Sequence, residues 1–389
     1  MENKWISGAI PALLIHCCIG TVYCWSLLKW DIASAMNVGV PSIELAFSLA
    51  IFFLGMSAAF GGRYVEKNVK RSSCISTLCF SIGLFGTIYA INVKSIPLLF
   101  LFYGCVMGSA LGIGYLAPIK TLMLWFSKNK GLATGIAISG FGLSKALFSP
   151  FITWCSATYG IKVTLASIAI MSILCMSTAT ALIHKPKTWK EPSESFSIDT
   201  ALHTVLNSTY LRIWLVFYLN ITCGLALIAF EKDLAQMSNI TWIGLLAALT
   251  AMFNTLGRFG YSTASDWIKD KTMVYVVIFA TSAIAIASPI LIGASTIPIV
   301  TTLCIVNAGY GGGFSTLPTL LESKFGMKRI SMIHGFALSA WGWAGLSGNQ
   351  LSNVILNYYH GTFNDLLIVI CALYAIALLI TITIPKEKY

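Results

Sequence analysis

Long apolar segments separated by short polar loops repeat along the whole chain. Each segment holds about 20 residues, the length an α-helix needs to cross a hydrocarbon core about 30 Å thick. The pattern predicts an all-α membrane protein with twelve transmembrane helices, at residues 6-28, 43-62, 72-92, 96-120, 131-155, 162-184, 210-230, 240-264, 272-292, 297-321, 331-356 and 364-384.

The longest polar interruption, residues 185-208, lies at the centre of the chain. It divides the protein into an N-terminal six-helix bundle (1-184), a cytoplasmic central loop (185-208) and a C-terminal six-helix bundle (209-389). The two halves match at a constant offset in the pairs Glu66 and Asp266, Gly112 and Gly312, Pro118 and Pro318, Gly135 and Gly335, Ala137 and Ala337, Ser139 and Ser339, and Gly142 and Gly342. The pairs predict a parallel pseudo-repeat of two bundles around a central site, as in the major facilitator fold.

Composition and charge agree with a membrane location. The chain is 57% hydrophobic and 10% charged, whereas globular domains carry about 25% charged residues. Lys and Arg concentrate in alternate loops, and the other set of loops offers only Lys29, Lys94, Lys162 and Lys232. The positive-inside rule therefore predicts an inner (plasma) membrane protein with both termini in the cytoplasm. This distribution does not indicate nucleic-acid binding.

The loop after the second span reads FGGRYVEKNVKRS and resembles the cytoplasmic signature loop of the major facilitator superfamily. Charges at helix ends can form ion pairs in one conformation that break in the other. We predict a gating role for Arg63, Glu66 and Arg71, and for Asp266 in the second half. The alternative is plain positive-inside anchoring.

Several further segments resemble the oxalate/formate antiporter family: GTVYCWSLL at 20-28, GRFGYSTASDW at 257-267, GYGGGFSTLPTLLESKFG at 309-326 and IHGFALSAWGWAGLSG at 333-348. This resemblance implies that Arg258 contacts the substrate carboxylate. Arg258 also lies eleven positions before Lys269, roughly 16 Å inside the cytoplasmic charges, where an arginine usually faces a cavity, a partner or a pathway. The alternative is pairing with backbone carbonyls or a helix end.

Residues around this arginine bear on coupling. Asn254 lies one turn earlier on the same helix face, where related proton-coupled monocarboxylate transporters carry an aspartate. No Asp or Glu lies near the middle of any predicted span, which favours exchange or uniport over proton symport. His16 is an alternative titrating group, against a structural histidine.

A second cation is expected in helix 5. Oxalate-transporting members of the family carry a lysine in helix 11, and Trp341 stands at that position here. We predict that Lys145 replaces it, against the alternative that its stem reaches the outer interface. Lys120 is expected to reach the cytoplasmic interface instead.

Aromatic side chains are predicted to close the site by excluding water, which strengthens a charged pair. They are Tyr23, Trp25, Tyr115, Phe141, Tyr310, Phe314 and Trp341, and each has packing as its alternative role. The run GYGGGF at 309-314 lies within an apolar span, so its small residues predict close helix packing rather than nucleotide binding.

The predicted function is alternating-access transport of small organic anions, mono- or dicarboxylates, by anion exchange. The expected partners are substrate, counter-substrate and the lipid bilayer, and the protein is expected to be a monomer. We predict no cofactor, since the eleven cysteines lack metal-ligand spacing. No enzymatic activity is expected, because the nucleophile–base pattern is absent. The alternatives are a proton-coupled monocarboxylate symporter, another facilitator permease, or a transporter-like nutrient sensor.

Overall fold

The computed structural model describes residues 3–189, 203–231, 234–235, 238–328 and 330–386. Within these ranges, seven side chains lie outside the description, those of Glu66, Ala229, Ile243, Gly244, Asn349, Asn353 and Asn357.

The described ranges contain twelve long helices, which confirms the predicted all-α membrane architecture. They are α1 (Trp5–Met36), α2 (Leu45–Lys67), α3 (Val69–Asn92), α4 (Ile96–Trp125), α5 (Lys130–Tyr159), α6 (Ile161–Leu182), α7 (Ser208–Ala229), α8 (Ile243–Ala264), α9 (Thr272–Ile292), α10 (Thr296–Phe325), α11 (Ile330–Asn353) and α12 (Phe363–Ile382). Ten of these described helices are long and apolar enough to cross a membrane; the remaining two, α8 and α11, include Arg258 and His334.

Several helices extend beyond the bounds predicted from hydropathy. The first span was predicted to end at residue 28, yet α1 continues to Met36, and α10 continues to Phe325. The physical reason is that backbone hydrogen bonds continue into the interfacial region, where charged side chains are tolerated. Within α1 the winding changes, with a π-helical turn at Trp5–Ala9 and a 3-10 turn at Gly20–Cys24.

The chain forms two compact units. The first comprises Met1–Ser193 and Met327–Gly342, and the second comprises Glu194–Gly326 and Trp343–Tyr389. The first part of α11 therefore belongs to the first unit and the remainder to the second. The domain boundaries drawn from the sequence stay a prediction.

Each unit is held together by a closely packed helix pair at equivalent positions of the repeat. In the first unit α2 packs on α4, and in the second α8 packs on α10. A Cβ built on Gly112 would lie 2.1 Å from the Leu54 carbonyl oxygen of α2, and one on Gly257 would lie 2.1 Å from the Ala308 carbonyl oxygen of α10. Small residues at these two contacts let the backbones approach, which is how membrane helices commonly associate.

Candidate functional site

Arg258 lies in α8 and is 1% exposed. Its Nε donates a hydrogen bond to Asn254 Oδ1 at 2.8 Å, one turn earlier on the same helix. The guanidinium carbon lies 5.5 Å from the ring centroid of Phe314 in α10. The side chain is therefore buried within the second unit between an amide and an aromatic ring, and it is not turned towards lipid.

Aromatic rings surround this arginine on the α10 side. The Tyr310 and Phe314 centroids are 5.1 Å apart, and Phe217 of α7 meets Phe314 edge to face at 5.0 Å. All three rings are buried. Rings on the same helix face, four residues apart, thus exclude water from one side of the cation.

The glycine run of α10 explains how the backbone comes so near. A Cβ on Gly311 would lie 2.2 Å from the Asn254 carbonyl oxygen and 2.9 Å from Arg258 Cγ. A Cβ on Gly313 would lie 2.2 Å from Asn220 Nδ2. The run therefore serves helix packing around the arginine, as the sequence predicted.

Glu231, a carboxylate that was not selected from the sequence, lies beside Thr250 of α8. Glu231, just after α7, accepts a hydrogen bond from Thr250 Oγ1 at 2.8 Å. Thr250 is one turn before Asn254 and two turns before Arg258. Glu231 follows the end of an apolar span rather than its middle, so hydropathy gave no signal for it.

Most of the predicted aromatic residues of the first unit form one cluster. The Tyr115 ring centroid lies 5.8 Å from Phe141 and 5.8 Å from Trp341, and Tyr23 meets Phe141 at 5.3 Å. Two histidines join it, with His16 at 5.1 Å and His334 at 5.9 Å from Tyr115. We call this set, His16, Tyr23, Tyr115, Phe141, His334 and Trp341, the aromatic–histidine cluster.

Trp25 lies outside this cluster. It is buried and its ring packs 4.7 Å from that of Tyr103 in α4. The 3-10 turn ends at Cys24, one residue after Tyr23, and α-helical winding resumes at Trp25. Neighbouring aromatic residues on α1 are thereby directed to different partners, and the contact of Trp25 is one of packing.

The two lysines considered from the sequence differ in burial. Lys145 is half-buried and lies within electrostatic range of the Cys24 thiol of α1. Lys120 is 1% exposed, so the expectation that it reaches the cytoplasmic interface is wrong. It lies more than one turn before the end of α4, where the neighbouring helices cover it.

Of the gating residues, Arg63 and Arg71 are exposed, and Arg71 lies 5.6 Å from the ring of Tyr64. The Glu66 side chain lies outside the described residues, and Asp266 is half-buried. Nearby, a Cβ on Gly62 would lie 2.6 Å from the Ser331 carbonyl oxygen, so α2 approaches the start of α11 closely.

At the corresponding end of the second unit, Asp270, which was not among the predicted gating residues, forms an ion pair with Lys324. Lys324 Nζ lies 3.5 Å from Asp270 Oδ1, and Thr272 donates its backbone N–H to the same oxygen at 3.2 Å. Partial burial opposes ionisation of Asp270, but the hydrogen bonds from Thr272 and the Lys324 ammonium outweigh it. The pKa of this carboxyl is therefore lowered.

A cavity of about 350 Å³ lies in the second unit and is lined by α7, α11 and α12, including Tyr218, Thr222 and Gln350. No predicted site residue lines this cavity.

Among the described residues, no group of three or more His, Cys, Asp or Glu side chains could hold a metal ion.

The chain is similar to known transporters over most of its length. It is 24% identical over 350 residues to the uncharacterized MFS-type transporter YhjX of Escherichia coli, covering 88% of this chain and 85% of YhjX. It is 24% identical over 400 residues to the oxalate:formate antiporter of Oxalobacter formigenes, covering 99% of this chain and 93% of that protein.

Its fold matches that of a solved transporter. The crystal structure of FucP, a Major Facilitator Superfamily transporter, superimposes with a TM-score of 0.73 at 11% identity, covering 98% of this chain and 100% of FucP. The family model of the Major Facilitator Superfamily matches residues 12–349. The chain is therefore a multi-pass membrane transporter rather than an enzyme, and it belongs to the Major Facilitator Superfamily.

Proposed function

We propose that this protein is a secondary transporter that exchanges small organic anions, mono- or dicarboxylates, by alternating access. The proposal rests on the burial of Arg258, whose side chain is 1% exposed in α8. A guanidinium does not lose its proton in proteins. Charged residues in membrane helices commonly mark substrate or ion pathways, and a permanent positive charge there attracts an anion.

The chemistry of the site favours a carboxylate as that anion. A guanidinium presents a planar fork of donors that matches the two oxygens of a carboxylate. Asn254 orients the fork by accepting from Nε at 2.8 Å, and it is a neutral amide. An aspartate there would supply a resident negative charge and reduce the need for a substrate anion. The similarity to an oxalate:formate antiporter supports this choice and membership of that family.

Exchange follows from the same charge. In the loaded carrier, the negative charge of the bound anion offsets the positive charge of Arg258. In the empty carrier, this negative charge of the substrate is absent. Reorienting a binding site through a low-dielectric barrier costs less when its net charge is smaller, and a bound anion lowers the net charge of this site. We therefore expect the loaded carrier to reorient readily and the empty carrier to reorient slowly.

Lys145 is proposed as the second cation for dicarboxylates. It is half-buried in α5, and no other lysine lies near the middle of that helix. Comparing Lys145→Ala with Lys145→Arg tests the assignment. Loss of oxalate transport in the alanine variant, with partial retention in the arginine variant, would support it, and wild-type transport in both would exclude it.

The remaining parts of the proposal concern topology. We propose that the chain forms two six-helix bundles joined by the central loop 185-208. We also propose that both termini lie in the cytoplasm, that the protein is located in the inner membrane and that it is a monomer. Arg63, Glu66, Arg71 and Asp266 are proposed to gate the cytoplasmic side. Labelling of a cysteine introduced at Asn68, between α2 and α3, tests the orientation in sealed vesicles, since labelling should occur only from the cytoplasmic face.

The central experiment uses purified protein in liposomes. Labelled formate, oxalate, lactate and pyruvate are offered outside, with and without unlabelled carboxylate inside. Uptake that requires an internal anion supports exchange. Rapid net uptake into empty vesicles would contradict exchange, and uptake of neutral or cationic solutes alone would contradict anion transport.

A further inference from the structure

Two histidines are buried together in the first unit. His16 of α1 is 0% exposed and His334 of α11 is 1% exposed. The chain has five histidines, and the other three, His184, His203 and His360, lie outside the twelve helices. Only the buried pair is thus placed where a proton could be carried within the membrane-spanning part of the protein.

Both ring nitrogens of His16 face backbone carbonyl oxygens. Nδ1 lies 2.5 Å from the Ala137 oxygen of α5, and Nε2 lies 3.2 Å from the Tyr115 oxygen of α4. A carbonyl only accepts hydrogen bonds, and a neutral imidazole has a single N–H to donate. The neutral ring therefore satisfies one of these contacts, whereas the protonated ring satisfies both.

His334 of α11 is the second histidine near Tyr115. Its ring centroid lies 5.9 Å from that of Tyr115, which also contacts His16 at 5.1 Å. His334 Nε2 is buried and has no hydrogen-bond partner among the described residues. Both imidazoles contact the same Tyr115 ring, and two positive charges beside one ring in a low dielectric disfavour double protonation.

Few carboxylates lie on the helices around the pair. The sequences of α4, α5, α6 and α11 contain no Asp or Glu. On α1, Asp31 accepts a hydrogen bond from Ser156. Just before α2, Glu44 is paired with Lys29 at 2.7 Å, and the Glu66 side chain lies outside the described residues. The other titratable or charged groups on these helices and on α1 are Cys17, Cys18, Tyr23, Cys24, Arg63, Tyr64, Lys67, Tyr103, Cys105, Tyr115, Lys120, Lys130, Lys145, Cys155, Tyr159, Lys162 and Cys175. The cations among them oppose protonation of the pair, most of all a second protonation that would place two charges together.

We propose that His16 and His334 form a proton-binding site that holds a single proton, with His16 as its principal carrier. Binding this proton adds one positive charge to the aromatic–histidine cluster. Acid should therefore favour anion binding, and the carrier should take up a proton as part of its cycle. The proton site itself is independent of the cargo, whereas its effect on transport rests on the proposed function.

The direct test is nuclear magnetic resonance of the full chain labelled with ¹⁵N-histidine, between about pH 5 and pH 8, where histidine ordinarily changes charge. Five imidazoles are few enough to assign with single His→Gln variants. We expect His16 to show two protonated nitrogens at the acidic end while His334 stays neutral. In His16→Gln, the His334 transition should move to higher pH, because the neighbouring positive charge that opposes its protonation is removed.

Two results would overturn the proposal. One is a His16 ring that stays neutral over the whole range, and the other is simultaneous protonation of both rings. His203→Gln, on the exposed segment before α7, is the control and should leave both signals unchanged. Thermal unfolding identifies any variant that fails to fold. If His16→Gln does not fold, His334→Gln assigns the His334 signal, and the protonation states in the wild-type spectrum decide.

Transport provides the second readout. Exchange in liposomes should rise severalfold from about pH 8 to about pH 6 in the wild type, and His16→Gln should abolish this rise. An unchanged pH profile in a folded His16→Gln protein would contradict the role in coupling. If no carboxylate is exchanged by the wild type, the proposed function fails, while the resonance experiment still decides the proton site.

Discussion

The second unit holds a charge that is permanent, whereas the first unit holds groups whose charge depends on pH. Arg258 is fixed by an amide at 2.8 Å and covered by Phe314. His16 is fixed by two backbone carbonyls and covered by Tyr115. A guanidinium keeps its proton under all physiological conditions, and an imidazole does not. The contrast separates anion binding, assigned to the arginine, from proton binding, assigned to the histidines.

Both regions use aromatic rings in the same physical way. Tyr310 and Phe314 in one unit, and Tyr115 and Phe141 in the other, are buried beside the polar group. Excluding water lowers the local dielectric and raises both the strength of a pair and the cost of an isolated charge. The residue at the centre, rather than its surroundings, therefore decides whether each region responds to pH.

Removing the permanent charge should have a greater effect than any other change. Arg258→Gln should weaken carboxylate binding by about 2–5 kcal/mol, at least about thirtyfold, because the substrate loses its charged partner. Arg258→Lys should retain part of the affinity, since it keeps the charge without the planar fork. Equilibrium binding of labelled oxalate and formate to the purified protein measures both.

The control for this prediction is Arg212→Gln. Arg212 is half-buried on α7 and donates to the Thr383 carbonyl oxygen, and its loss should leave binding unchanged. Wild-type affinity in a folded Arg258→Gln protein would remove the basis for the assigned cargo.

Separating α8 from α10 should disturb the arginine site without touching its charge. In Gly311→Ala the new methyl group would clash with the Asn254 carbonyl oxygen and Arg258 Cγ, at 2.2 and 2.9 Å. We expect the free energy of unfolding to fall by about 1–3 kcal/mol, together with weaker anion binding. Thermal unfolding in detergent, with and without substrate, measures both.

Gly260→Ala is the matched control, because a Cβ there meets nothing within 4 Å. It should be neutral or stabilising by up to about 1 kcal/mol, since alanine favours a helix. Equal destabilisation by both alanines would show that helix packing at Gly311 is not responsible.

A carboxylate introduced beside Arg258 should reduce the difference in charge between the two regions. Asn254→Asp would place an anion at the position that now accepts from Arg258 Nε at 2.8 Å. The resident pair should compete with substrate and lower anion affinity about tenfold, equivalent to about 1.4 kcal/mol. Thr255→Asp adds the same charge one residue along, and it should have a smaller effect. Equal losses in the two variants would indicate a general charge effect.

The ion pair at the end of the second unit should contribute least. The pKa of Asp270 is lowered in the folded protein, so its stabilisation is present above the unfolded value of about 3.9 and is lost as pH falls through the folded pKa. Asp270→Asn should cost at most about 1 kcal/mol at neutral pH and reduce the loss of stability in acid.

Lys324→Met tests whether the loss of stability in acid comes from the Asp270–Lys324 ion pair. The double variant should be no less stable than either single variant, as thermal unfolding between about pH 3 and pH 7 would show. Fully additive losses would mean that Asp270 and Lys324 act independently.

Much of the site could be predicted one helix at a time. Arg258, Asn254, Tyr310 and Phe314 were selected from depth and helical spacing, and they lie together in the second unit. Lys120 and Trp25 show the limit of this approach. Whether a lysine near a helix end reaches water, or which neighbour a tryptophan meets, depends on helices far away in the sequence.

The sequence by itself determined the twelve helices, the membrane location and the presence of a deep arginine. These are local properties, since the length of an apolar run and the cost of a buried charge require no knowledge of neighbours. Only the tertiary structure decided that His16 and His334 share Tyr115, that Glu231 accepts from Thr250, and that the first part of α11 packs with the first unit. His16 and Tyr115 are 99 positions apart and Tyr115 and His334 are 219 positions apart, because helix packing, rather than hydropathy, selects the partners of each side chain.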